Sequence, residues 1–271
     1  DPRASLKNES DKSKKVEHTE FADSKHVKMK ESTPMESSLG TKTWWSRGQN
    51  FYLAYSEAVD GETFERKDQV DEYVVLLPDK NSRAVVTWDN QDTDVDGFSL
   101  VVVPKGASKI TLKKGGRIVR LFTIRNNDLA DLPINKSAYD EADPNVTPFQ
   151  PWAESPLGSK VRVYSLDIPE EEGRFGRIFR CSTFMVNCLY PYDGPREKLS
   201  PHHHDDFEQC SLLLEGEFVH HLRWPWTPDK SQWRPDEHEH CEGPAVTIMP
   251  AGVIHTSEPV GSGTNVLVDI F

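Results

Sequence analysis

Residues 201–218 read PHHHDDFEQCSLLLEGEF, and residues 248–259 read IMPAGVIHTSEP. Eight of the ten histidines of the chain lie between residues 202 and 255. His202 and His204 are two positions apart, and side chains alternate along an extended segment, so both project to the same side. Two such imidazoles form half of a metal site for zinc, copper, iron or nickel, to be completed from other strands. His255 is a candidate third ligand. Glu208 and Gln209 both qualify as a fourth, but they are adjacent, and a one-residue step reverses the face of a strand unless a bulge intervenes.

The rest of the chain supplies strands to carry these residues. From Trp44 onward, short β-branched or aromatic runs recur, among them FYLAYSEA from Phe51, DEYVVLLPD from Asp71 and GRIVRLFTI from Gly116. Asp, Asn, Gly and Pro punctuate them, and no long 3.6-residue periodicity appears, which indicates antiparallel sandwiches or barrels. Residues 127–158 are rich in Pro, Asp and Asn and read as a linker. A second series of strands follows from KVRVYSLDI, and both series include a strand ending in Pro-x-Gly, a sign of internal duplication. Residues 1–33 are rich in Lys, Glu, Ser and Asp, with Phe21 the only aromatic, and read as a flexible charged tail.

Here a resemblance becomes specific. His202, His204, Gln209 and Gly216 resemble the first motif of the cupin superfamily, and Pro250, Gly252 and His255 resemble the second, Pro-x-Gly-x-x-His. The resemblance covers about residues 160–271. It implies an all-β fold of two tandem cupin-type (double-stranded β-helix or jelly-roll) barrels: a degenerate one over residues 34–126 and a metal-binding one over residues 159–271. The implied ligands are His202, His204, His255 and a fourth residue that is usually Glu. The spacing to Gly216 favours Gln209, while the shorter variant of the motif would use Glu208. In the first half Glu72, Pro104 and Gly106 echo the motifs, but Lys109 stands at the histidine position, so that barrel is expected to lack a metal.

Three further residues are candidates for catalysis. His220 and His221 share the following strand, so one of them should point into the barrel as an acid/base or a partner of the ligands. Arg223 opens the insertion LRWPWTPDKSQWRPD, whose three tryptophans suit either a lid or a packing surface. His238 and His240 in DEHEHCEG form a second His-x-His, read as a solvated turn in preference to a zinc clip.

A formal net charge of -12 argues against a general nucleic-acid or anionic-membrane binder. The four cysteines form no CxxC pair, which suggests reduced thiols and a cytoplasmic location. Neither a nucleophile elbow nor a nucleotide-binding glycine motif is present. The expected cofactor is one divalent transition metal per chain, Fe(II) favoured, with Zn, Mn or Ni as alternatives. The resemblance implies an Fe(II)-dependent dioxygenase of a small chelating organic acid or enol. The alternatives are a metal-dependent isomerase or lyase of a sugar acid or similar acid, and a non-enzymatic small-ligand-binding cupin. The expected partners are a small-molecule substrate and a second copy in a homodimer.

Overall fold

The strand runs YVVLL and SLVVV, Ser99 apart, are hydrophobic at successive rather than alternate positions, which is the mark of a sheet covered on both faces. The computed structural model, which describes residues 18–156 and 158–271, shows why. Two seven-stranded antiparallel sheets stack face to face, and each is backed by a smaller sheet on its far side.

In the first half, the large sheet runs through Arg162–Ser165, Ser99–Val103, Tyr73–Leu77, Gly116–Thr123, Phe51–Ala58, Lys42–Arg47 and Met35–Glu36. Its small sheet comprises Thr63–Gln69, Gly106–Lys114, Arg83–Trp88 and Gln91–Asp96. In the second half, the large sheet runs through Lys25–Lys28, Ala245–Met249, Gln209–Glu215, Thr264–Ile270, Met185–Leu189 and Gly176–Arg180, with Tyr192–Asp193 beside Thr264–Ile270. Its small sheet comprises Glu237–Glu242, Glu217–Arg223 and Ile254–Pro259.

Alternation within each buried strand sorts the side chains into separate cores. Val74, Leu76, Leu100 and Val102 meet Val186, Leu212, Val246 and Val268 in a core between the barrels. Val75, Leu77, Val101 and Val103 turn the other way, toward Ala84, Val86, Ile110 and Leu112 inside the first barrel. That barrel also buries Arg120, held over the rings of Phe64 and Trp45. Lys109 is exposed, and no cluster of three metal-ligating side chains lies in this barrel among the described residues.

Two strands cross between the halves, and both correct the boundaries expected from sequence. Arg162–Ser165 pairs with Ser99–Val103, so the second strand series opens in the first barrel's sheet. Reciprocally, Lys25–Lys28 pairs with Ala245–Ile248 of the second barrel. The expected flexible tail is therefore ordered over residues 18–33, and its remainder, residues 1–17, lies outside the described residues. The physical reason is the burial of Phe21, Val27 and Met29, each worth about 1.5–3 kcal/mol. Three apolar residues are diluted in a composition average yet suffice to dock an arm.

Candidate metal centre

The second barrel brings His202, His204 and His255 to one point, their ligating nitrogens within 4.8 Å of one another. Backbone geometry does most of the positioning. His202 and His255 exchange both N–H···O=C hydrogen bonds, at 3.0 and 2.8 Å, so their side chains stand directly opposite each other. The turn before His255 requires Gly252: its φ is +76°, and a Cβ there would lie 2.5 Å from the His18 ring. The Gly252 N–H donates to the His204 carbonyl at 2.6 Å, which ties the two motifs together.

Gln209 begins its strand and points inward. Its Oε1 lies 3.2 Å from His202 Nε2, 2.9 Å from His204 Nε2 and 3.2 Å from His255 Nε2. Its Nε2 donates to Asp269 Oδ1 at 3.1 Å and to Ser211 Oγ at 3.2 Å, while the Ser211 hydroxyl donates to the same carboxylate oxygen at 2.7 Å. A carboxylate only accepts, so the amide nitrogen must face Asp269 and the amide oxygen must face the histidines. His202 Nδ1 lies 2.7 Å from the Ser200 carbonyl, and His255 Nδ1 lies 2.9 Å from the Val253 carbonyl. Each Nδ1 is therefore the donor, and in the neutral rings each Nε2 presents a lone pair. Lone pairs from imidazoles and an amide oxygen converging in a buried place repel one another until a cation joins them. The donor set fits a divalent transition metal, with His202, His204, His255 and Gln209 as the residues that would hold it.

Glu208 faces the opposite way. Its carboxylate accepts from the Gln49 N–H at 2.7 Å and the Tyr139 hydroxyl at 3.1 Å, with Lys25 Nζ at 3.9 Å. Burial pushes its carboxyl above the usual range, and those three partners oppose the shift. His203 also points away, with its ring 3.1 Å from Asp205.

Of the three catalytic candidates, only His220 enters the barrel. Along Glu217–Arg223 the residues Phe218, His220 and Leu222 are buried and the alternate ones are not. His220 Nδ1 pairs with Ser257 Oγ at 2.9 Å, its Nε2 is buried without a hydrogen-bond partner, and burial pushes its pKa down to about 3. It is a neutral group at physiological pH. His221 and Arg223 are corrections: the two-residue period of the strand places both on the outer face, where Arg223 pairs with Asp236 at 2.6 Å.

Sequence reasoning missed Ser211, Asp269 and the aromatic wall. Phe207 stacks on His204 with ring centroids 4.5 Å apart, and Phe271 meets the same ring edge-on at 5.2 Å. Behind them lies a cleft of about 450 Å³ walled by Phe51, Phe149, Trp152, Phe184, Phe207 and Phe271, with no Lys or Arg among its lining. Phe149 and Trp152 come from the segment read as a linker. That cleft is also lined by Asp206 and Glu208 and by none of the four candidate ligands, and nor is a larger cleft of about 760 Å³, whose Arg177 is occupied by the carbonyls of Leu166, Cys188 and Leu189. In the insertion, Trp224 packs with Phe21 and donates to the Ala22 carbonyl, while Trp226 stacks on Trp233 at 4.6 Å.

The solved structures settle the fold. A mutant of Bacillus subtilis oxalate decarboxylase superposes with a TM-score of 0.63 at 14% identity, covering 94% of this chain and 78% of that one. The chain has a bicupin fold, two cupin-type barrels in tandem. A cupin 2 conserved barrel domain protein from Leptotrichia buccalis matches at a TM-score of 0.52 and 9% identity, over 91% of this chain and 95% of that one. No family model and no curated protein matches the sequence. The four cysteines of this bicupin are free and buried, and no helix among the described residues is long and apolar enough to cross a membrane.

Proposed function

We propose that this bicupin is a metal-dependent enzyme, and within that class an Fe(II)-dependent dioxygenase of a small chelating enol or catechol-like compound. The observation that carries the reading is the convergence of three imidazole nitrogens and one neutral amide oxygen, with Asp269 facing the amide nitrogen. A metal held by such neutral donors keeps its positive charge, and so favours an anionic chelating substrate and oxygen chemistry.

The chain's own residues supply the surroundings. Phe207 and Phe271 pack on the His204 ring and exclude water from that side of the site. His220, held neutral, accepts or donates a hydrogen bond in the barrel without changing charge.

The test is oxygen uptake by protein loaded anaerobically with Fe(II) and offered catechol-like and β-diketone compounds, beside His255→Ala. Uptake that depends on substrate, metal and His255 supports the proposal. No uptake with any such compound would refute it, and turnover of a sugar acid without oxygen on zinc or manganese would favour isomerase or lyase chemistry. The oxalate decarboxylases that share the fold make decarboxylation without net oxygen uptake the outcome to watch for in that arm.

A further inference from the structure

The outer face of the three-stranded sheet carries a second group of histidines that the barrel site does not use. Glu217–Arg223 is the central strand of that sheet, and its register sets His221 directly opposite His238 of the edge strand Glu237–Glu242. Both side chains point outward, away from the barrel interior. Their Nδ1 atoms lie 2.6 Å apart, with ring centroids at 4.9 Å and planes inclined by 69°. On the far side of His221, Nε2 is 2.7 Å from Glu258 Oε2 on the third strand. Asp236 stands nearby, its carboxyl held below the usual carboxylate range by Arg223 and drawn down further by His238.

We propose that His221 and His238 form a second divalent-cation site, selective for zinc, copper or nickel, on the outside of the metal-binding barrel. The chemistry follows from where the proton of His221 must sit. Glu258 only accepts, so His221 donates through Nε2 and presents its Nδ1 lone pair to His238. A carboxylate that fixes the tautomer of a histidine from behind is the arrangement that prepares imidazole ligands for a metal. A cation of borderline softness takes both Nδ1 lone pairs in place of the proton between them. With metal–nitrogen bonds of about 2.0–2.1 Å the two nitrogens must part by under ~1 Å. His238 is exposed and turns that far while Glu258 holds the half-buried His221 in place.

Two protein nitrogens meet here against three in the barrel, so this is the weaker site, with water filling the remaining positions. The local charge favours it: Glu258, Asp236 and the His240–Glu217 pair lie on or beside the same face of a chain with a net charge of -12. A cation bound here would clamp the edge strand to the sheet. That strand begins at Glu237, which also accepts hydrogen bonds from Ser24 and His26 of the docked arm.

The experiment titrates zinc into full-length protein whose barrel site has first been filled, and counts bound zinc after equilibrium dialysis. The wild type should take up one further zinc per chain. His238→Ala should take up none while keeping its barrel metal, and His221→Ala should behave alike. Glu258→Gln should weaken uptake roughly 10–100-fold, as loss of a partner behind a ligand does. Wild-type protein that stops at the barrel metal would overturn the proposal, as would a His238→Ala variant that binds the further zinc as tightly as wild type.

Discussion

Gln209 and Glu208 are neighbours in sequence, yet Gln209 meets three imidazoles while Glu208 meets Gln49 and Tyr139 on the other side of the strand. The residue that carries the charge is turned away from the candidate metal, and the neutral one is turned toward it. The alternation of an extended chain makes the choice exclusive.

Gln209→Glu tests what that neutrality does. The substitution keeps the shape but sets a second carboxylate oxygen where the amide nitrogen now donates to Asp269 at 3.1 Å. Two buried carboxylates so close cannot both ionise cheaply. In metal-free protein the variant should lose about 1–3 kcal/mol of stability at neutral pH, the usual penalty for a buried polar group left unsatisfied. Bound metal should restore most of it. Urea denaturation with chelator and with metal measures both, and an unchanged metal-free midpoint would contradict the account.

Asp269→Asn removes the group that fixes the amide orientation. An asparagine accepts or donates, so Gln209 is no longer compelled to aim its oxygen at the histidines. Metal affinity should fall by roughly 10–100-fold with the fold intact. Competition against a chelator of known affinity gives the ratio, and wild-type affinity would show that Asp269 does not position Gln209.

His220 predicts an acid-sensitive barrel. Its folded pKa is pushed down to about 3 from the ordinary 6.5, chiefly by burial. Between those values the unfolded chain binds the proton and the folded chain does not, so stability rises with pH across that window and is lost as pH falls from 6.5 toward 3. The slope contributed by one such group approaches ~1.4 kcal/mol per pH unit. His220→Leu should flatten this part of the stability profile. Parallel profiles for the two proteins would mean that other groups carry the acid transition.

The site was legible where its logic is local. His-x-His, the Pro250–Gly252–His255 turn and the inward face of one of His220 and His221 follow from backbone periods; which of the two it is, His220, comes only from the structure. Asp269 and Ser211 were not legible, because strand pairing sixty residues apart brings Asp269 to Gln209, and nothing near either residue encodes it. Alternation allowed only one of His220 and His221 to face inward without saying which, and Arg223 was misplaced because proximity to the insertion stood in for a face that alternation assigns to the outside. The arm failed for a related reason: an average over charged residues hides Phe21, Val27 and Met29, whose burial decides where the segment goes.

The arm therefore supports the metal centre from outside the motifs. Phe21 packs with Leu222, Trp224, Met249 and Val253, and Met249 and Val253 flank the turn that delivers His255. Removing its ring leaves a void beside that turn, a change that costs about 3–5 kcal/mol when the void cannot collapse. The loss should appear locally, since Lys25–Lys28 is an edge strand held by a single neighbour, Ala245–Met249. Phe21→Ala is thus expected to speed amide exchange at residues 25–28 and at 248–255, and to weaken metal binding, while exchange in the first barrel stays as it was. Hydrogen exchange followed by mass spectrometry resolves these segments. If residues 25–28 open in the variant but residues 248–255 and the metal do not respond, the arm is a docked strand with no hold on the site.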